Sequence, residues 1–178
     1  YNHPKKLIFA LGLAVFPAGF SYMIFVYFLN FLETQGGLSL QDIFYMNTIA
    51  MMFMVAAIPL IGLLADKIGR KPLMLSSVII TVLICIPLFQ LLMDYPLLAL
   101  FIFVLLNAMY EACLAAEIAP LFPHNCRYTG VALTLNLSNG VVGGLAPMIA
   151  ATLVYTTHIP VSPMFYVIGI GLITIFSF

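Results

Sequence analysis

Residues 62–74 read GLLADKIGRKPLM, a short charged link between two long apolar runs. The link contains three of the six Lys and Arg residues of the chain, Lys67, Arg70 and Lys71, and one acid, Asp66. Charge that is concentrated between two apolar runs predicts two helices joined at a membrane surface.

The composition excludes a water-soluble protein. Of the 178 residues, 64% are hydrophobic and 7% are charged, and the mean hydropathy is +1.17. A soluble domain carries about a quarter charged residues, so lipid must be the solvent for most of this chain. The net charge of zero predicts no nucleic-acid partner. Cys85, Cys113 and Cys126 have neither a disulfide pattern nor a metal spacing, and we predict no metal and no cofactor.

Six apolar segments follow one another along the chain. A membrane helix needs about 20 residues, and every backbone group in lipid must be bonded internally, so the segments must be helices. We predict an all-α membrane protein in which residues 1–178 form a single six-helix transmembrane bundle. The sixth segment looks truncated, and we expect a fragment of a longer polypeptide. The segments are 7–32, 40–65, 73–93, 96–119, 128–155 and 164–178.

The charges between the segments predict the orientation. With six helices, every Lys and Arg falls on one side, while the links on the other side carry only acids. This distribution follows the positive-inside rule and predicts a multi-pass protein of the cell (inner) membrane with both ends cytoplasmic. The basic residues are Lys5, Lys6, Lys67, Arg70, Lys71 and Arg127, and the acids of the opposite side are Glu33, Asp42 and Asp94.

The order of residues in the charged link (residues 62–74) has two interpretations. Asp66 ends the second segment, and Arg70 and Lys71 precede the third, so an ion pair can lock two helix ends and release them. Gly62 and Gly69 allow close backbone approach and a tight turn. Alternatively, the basic residues only set the topology and contact lipid phosphates.

The charged link resembles a motif of the major facilitator superfamily, G-x-x-x-D-[RK]-x-G-R-[RK], found between the second and third helices and, more weakly, between the eighth and ninth. Residues 120–144, PLFPHNCRYTGVALTLNLSNGVVGG, resemble the E-L-F-P-T-R-V-R-Y-T-G stretch between the tenth and eleventh helices of the metabolite:proton symporter family. That family includes proline/betaine transporters and permeases for dicarboxylates and shikimate. The two motifs lie two helices apart, as in the C-terminal half of such a transporter.

The resemblance implies one half of a major facilitator superfamily fold, with these helices as the seventh to twelfth of twelve. It also implies alternating access and a partner bundle, either a missing N-terminal half or a second copy of this chain. The family's Glu is replaced by Pro120, and the nearest acid is Glu117. We therefore expect a cytoplasmic gate of Gly62, Asp66, Gly69, Arg70, Lys71, Glu117 and Arg127.

Glu111 is the acid placed deepest in a segment. Asn107 lies near the centre of the fourth segment, and Phe103, Asn107, Tyr110 and Glu111 share one stripe at helical spacing. A carboxylate is expensive in this environment, so Glu111 should face a cavity or a partner and can carry a proton. We predict a proton-coupling or cation-contacting site there. The alternative is a protonated acid that only bonds a neighbouring helix.

Two further faces offer candidates for a substrate cavity. Asn136 and Asn139 share a face of the fifth segment, where their amides can bond either a substrate or the next helix. The spacing of Gly140 and Gly144 is typical of helix packing.

The first segment places five side chains on one face, including Phe20 and Tyr27. This aromatic wall can hold a quaternary ammonium through cation–π contacts, or its members can be ordinary core or lipid-facing residues. The face consists of Phe16, Phe20, Met23, Tyr27 and Asn30.

We therefore expect half of a secondary active transporter that couples proton entry to symport of a small polar metabolite, such as proline/betaine or an organic acid. No Lys or Arg lies inside a segment, which favours a zwitterion over a dicarboxylate.

A channel lacks support because Asn-Pro-Ala boxes and a T-V-G-Y-G filter are absent. A non-transporting scaffold leaves Glu111 and the charged link unexplained. No nucleophile–base pair or phosphate loop predicts an enzyme. The expected partners are the lipid bilayer, a small-molecule substrate and the proton.

Overall fold

The computed structural model describes residues 4–178, and this part of the chain is almost entirely helical. Five helical segments are long and apolar enough to cross a membrane, and the sixth, of 14 residues, is shorter. The prediction of an all-α membrane protein with six helices is confirmed. The segments are α1 (Lys5–Thr34), α2 (Leu40–Ile68), α3 (Arg70–Asp94), α4 (Pro96–Leu121), α5 (His124–Thr157) and α6 (Pro163–Phe176).

Helix α4 occupies the centre of the bundle. It packs against α1, α2 and α3, while α6 packs against α1 and α3. Aromatic side chains fill the space between α1, α3 and α4, where Phe28 contacts both Phe89 and Phe103. Helices in lipid associate through such close packing because lipid itself is as apolar as the side chains. Helices α2 and α5 lie at the periphery and leave most of their apolar surface exposed.

A single residue separates α2 from α3. Gly69 has φ +102°, in the region that glycine adopts most readily, and it ends one helix and begins the next. Helix α3 therefore starts at Arg70 and not at the predicted residue 73, so Arg70 and Lys71 lie in its first turn. Similarly, α5 begins with a short 3₁₀ turn, His124–Cys126, before the predicted start at residue 128.

Two of the helices contain a π-helical turn that the sequence analysis did not predict. Met23–Tyr27 interrupts α1, and Ser138–Gly143 interrupts α5. The π turn of α5 packs against α1, and the Tyr166 hydroxyl of α6 donates to the Val142 carbonyl within it, at 2.8 Å. A π turn inside an α-helix frequently marks a functional site.

Candidate functional site

A chain of hydrogen bonds connects α1 to α4 inside the bundle. The Asn107 amide nitrogen donates to the Ser21 hydroxyl at 2.9 Å, and this hydroxyl donates to Glu111 Oε1 at 3.5 Å. Ser21 and Glu111 are partly buried, and Asn107 is completely buried. We call these three residues the polar centre. The carboxyl of Glu111 forms no ion pair with any described residue.

One acceptor of the polar centre is unused. The Asn107 Oδ1 atom is buried and has no hydrogen-bond partner within residues 4–178. A buried polar atom without a partner costs about 1–3 kcal/mol, and such atoms deserve a functional explanation. Tyr110 lies beside the polar centre, where its hydroxyl donates to the Leu13 carbonyl at 2.8 Å. Tyr110 thus joins α4 to α1 in this conformation.

Ser21 was not predicted from the sequence. It lies within the first apolar segment, but not on the aromatic face predicted for that segment. The available signal was a small polar side chain in an otherwise apolar stretch, AGFSYM (residues 18–23). Its partner on α4 was not deducible, because 86 residues separate Ser21 from Asn107 in the chain.

The aromatic wall predicted on α1 is largely a part of the core. Phe16, Phe20 and Met23 are completely buried. Phe20 stacks on Phe16 at a centroid distance of 5.0 Å and contacts the edge of Phe103, so it faces no cavity in this conformation. Tyr27 differs, because it lines a cleft at the end of the bundle opposite to the charged link.

The glycines of α5 behave differently from the expected packing motif. Gly140 and Gly144 have no other element against them, whereas Gly143 packs against α1. A Cβ atom on Gly143 would lie 2.7 Å from the Tyr22 ring and 3.2 Å from the Ala18 carbonyl oxygen. The close contact therefore belongs to a glycine outside the G-x-x-x-G pair.

Asn136 and Asn139 are exposed, and the amide of neither residue forms a hydrogen bond with another described residue. Of the two roles considered for these amides, bonding the next helix is thus not realised here.

The charged link contains one ion pair in the described part of the chain. Arg70 Nη2 lies 3.7 Å from Asp66 Oδ1, and both side chains are exposed. Lys71 and Glu117 line a small cavity of about 30 Å³, and Arg127 donates to the Phe122 carbonyl at 3.4 Å.

The proposed gate residues are therefore neighbours only in part. Asp66, Arg70, Lys71 and Glu117 gather at one end of the bundle, but Glu117 and Arg127 are not ion-paired within residues 4–178. Gly69 makes the expected turn, while the close approach expected at Gly62 is not found among the described residues.

The second motif is a compact local structure. A Cβ atom on Gly130 would lie 2.5 Å from the ring of Phe122, which is itself buried. Phe122 and Gly130, which both belong to the second motif, are therefore coupled. Only glycine at position 130 leaves room for the Phe122 ring at the start of α5.

Long apolar helices around a buried polar centre define an integral membrane protein of the helical-bundle class. The chain belongs to the major facilitator superfamily, whose model matches residues 11–178. This membership confirms the resemblance that the two motifs indicated.

Three curated relatives illustrate the relationship. The ectoine/proline transporter ProP of Corynebacterium glutamicum is 25% identical over 93% of this chain. The glycine betaine/proline/ectoine/pipecolic acid transporter OusA of Dickeya dadantii is 27% identical over 97%, and the proline/betaine transporter of Salmonella typhimurium is 28% identical over 97%. The matched region is 34%, 35% and 35% of these relatives, so the chain spans about a third of their length. No solved structure matches the chain.

Proposed function

We propose that this chain is the C-terminal six-helix half of a secondary active transporter. The complete protein couples proton entry to uptake of a small polar metabolite, of the proline/betaine kind or an organic acid, by alternating access. A second six-helix bundle, either an N-terminal half or a second copy, completes the central cavity. The charge distribution supports a location in the cell (inner) membrane with both ends and the charged link in the cytoplasm.

The observation that carries this proposal is the position of Glu111. Its carboxyl lies partly buried at the α1–α4 contact, hydrogen-bonded to Ser21 and without an ion pair among the described residues. An acid in this position binds and releases a proton as its access to water changes. A purely packing role does not require an ionisable group inside a membrane-spanning helix.

The charges and amides of this half support a zwitterionic substrate. Lys and Arg lie only at helix ends, so this half offers no buried cation for a second substrate carboxylate. The exposed amides of Asn136 and Asn139 can donate hydrogen bonds to one carboxylate. The three relatives bear names of transporters for proline, ectoine or betaine, which agrees with this choice.

The test uses the complete transporter reconstituted in liposomes. Labelled glycine betaine should accumulate under an inward proton gradient and not under a sodium gradient alone. The Glu111→Gln variant should lose accumulation and keep exchange of internal for external glycine betaine. The control is Glu33→Gln, which changes an exposed acid near the C-terminal end of α1, away from the charged link, and it should behave like the wild type. Unchanged accumulation in Glu111→Gln would eliminate the coupling role.

A further inference from the structure

Helices α1 and α5 form a wedge. They touch at Gly143, where the Ala18 carbonyl and the Tyr22 ring leave no room for a side chain. Toward the end of the bundle opposite to the charged link, the two helices separate and enclose a cleft of about 490 Å³. We call this space the outer cleft. Its principal lining residues are Tyr27, Asn30, Phe31, Gln35, Tyr155 and His158.

Tyr27 has a free hydroxyl in the outer cleft. The residue is 9% exposed, and its hydroxyl has no hydrogen-bond partner among residues 4–178. The hydroxyls of Tyr110 and Tyr166, by contrast, each donate to a backbone carbonyl 2.8 Å away. The Tyr27 hydroxyl therefore opens onto the outer cleft, where it can donate a hydrogen bond to water or to a ligand.

The lining of the outer cleft combines aromatic faces with neutral polar groups. Tyr27 and Phe31 stack at a centroid distance of 6.2 Å and an interplanar angle of 27°, and Tyr155 forms the opposite wall. Asn30 and Gln35 contribute amides, and no Lys, Arg, Asp or Glu lines the space. A ligand with a net charge would find no counter-charge in the outer cleft. A zwitterion carries both charges itself and does not need one.

We propose that the outer cleft is a second binding site, an entry subsite for small zwitterions with a methylated or cyclic ammonium group. The ammonium lies against the faces of Tyr27, Phe31 and Tyr155, which attract cations through their π electrons. The carboxylate accepts hydrogen bonds from the Tyr27 hydroxyl and the amides of Asn30 and Gln35. This inference rests on the proposed function and adds to it a site separate from the polar centre.

The position of Tyr27 fixes how far the entry subsite lies from the polar centre along α1. Tyr27 is six residues from Ser21 on α1, a distance of about 9 Å at the rise of a helix. The two residues lie on either side of the start of the π turn Met23–Tyr27. A ligand in the outer cleft is therefore displaced by about 1.7 helical turns from Ser21 along the axis of α1, toward the outer side in the proposed orientation.

The test exploits the sidedness of the outer cleft. In the complete transporter, Tyr27→Phe removes only the free hydroxyl, and Tyr155→Ala removes one aromatic wall. Both should raise the KM for glycine betaine entering from the outer face by about threefold to tenfold and leave kcat unchanged. The KM measured from the opposite face, in inside-out vesicles, should stay the same. Tyr95→Ala is the matched control, because Tyr95 is an exposed tyrosine at the same end of the bundle but outside the outer cleft.

A direct binding measurement keeps this inference separate from the proposed function. Labelled glycine betaine is titrated onto the purified wild type, Tyr27→Phe and Tyr155→Ala. Weaker binding in both variants supports the entry subsite. If both variants bind more weakly but a proton gradient does not drive accumulation by the wild type, only the proposed proton coupling is overturned. Unchanged binding, or a KM that rises equally from both faces, overturns the entry subsite alone. A wild type that neither binds nor transports glycine betaine overturns both.

Discussion

The Asn107 amide nitrogen donates a hydrogen bond to the Ser21 hydroxyl, 2.9 Å away, and so joins α4 to α1 beside Glu111. The bonds run in one direction, from the amide through the hydroxyl to the carboxylate. A protonated Glu111 gains an O–H donor while its carbonyl oxygen can still accept from Ser21, so the chain can then keep its direction or reverse. The unused Asn107 Oδ1 is the acceptor that a reversed chain requires, after rotation of the amide.

The first prediction concerns Ser21. Replacement of Ser21 by Ala leaves the buried Asn107 amide nitrogen without its acceptor, which should lower the free energy of unfolding by about 1–3 kcal/mol. Proton-driven accumulation of glycine betaine should fall as well, because Glu111 loses its only hydrogen-bond partner among the described residues. Thermal unfolding in detergent and uptake into liposomes measure the two effects.

Two control variants distinguish the loss of the Ser21 hydrogen bonds to Asn107 and Glu111 from the general effect of a missing hydroxyl. Ser21→Thr retains the hydroxyl and should keep most of the accumulation. Ser76→Ala removes a hydroxyl that bonds only the Leu73 carbonyl of its own helix, and it should be near wild type. Equal accumulation in Ser21→Ala and Ser21→Thr would contradict the bridging role.

The second prediction concerns the contact of α1 with α5. Gly143→Ala places a Cβ atom 3.2 Å from the Ala18 carbonyl oxygen and against the Tyr22 ring. The overpacking should destabilise the bundle by about 1–3 kcal/mol. Gly169→Ala is the control, because Gly169 has open space in place of a side chain, and it should stabilise α6 by up to about 1 kcal/mol. The free energies of unfolding of both variants are measured in detergent. A Gly143→Ala protein as stable as the wild type would refute the close contact.

The third prediction separates stability from function at the charged link. The Asp66–Arg70 pair is exposed, and such pairs contribute about 0–1 kcal/mol. Asp66→Asn should therefore hardly change the unfolding temperature. If the pair holds one of two transport states, the uptake rate should nevertheless fall by about fivefold or more. Asp94→Asn, at the opposite end of the bundle, should leave the rate unchanged. An uptake rate that follows only the stability would show that the pair has no gating role.

The spans and the family were accessible from the sequence for simple reasons. Apolar runs of membrane length can only be helices, and the charged link and the second motif have a characteristic order of residues. Their local structure also follows from nearby residues: Gly69 turns the chain between α2 and α3, and Gly130 makes room for Phe122. The stripe of Asn107, Tyr110 and Glu111 followed from helical spacing within α4 alone.

The sequence by itself determined the number of helices, their approximate positions and the presence of Glu111 in one of them. Only the tertiary structure decided that Ser21 bridges Asn107 and Glu111, that Phe20 lies in the core while Tyr27 opens into a cleft, and that Gly143 makes the close contact in place of Gly140 and Gly144. The physical reason is that these helices are apolar on every face. Hydrophobicity then does not indicate how each helix is rotated about its axis. The side-chain contacts between different helices depend on that rotation.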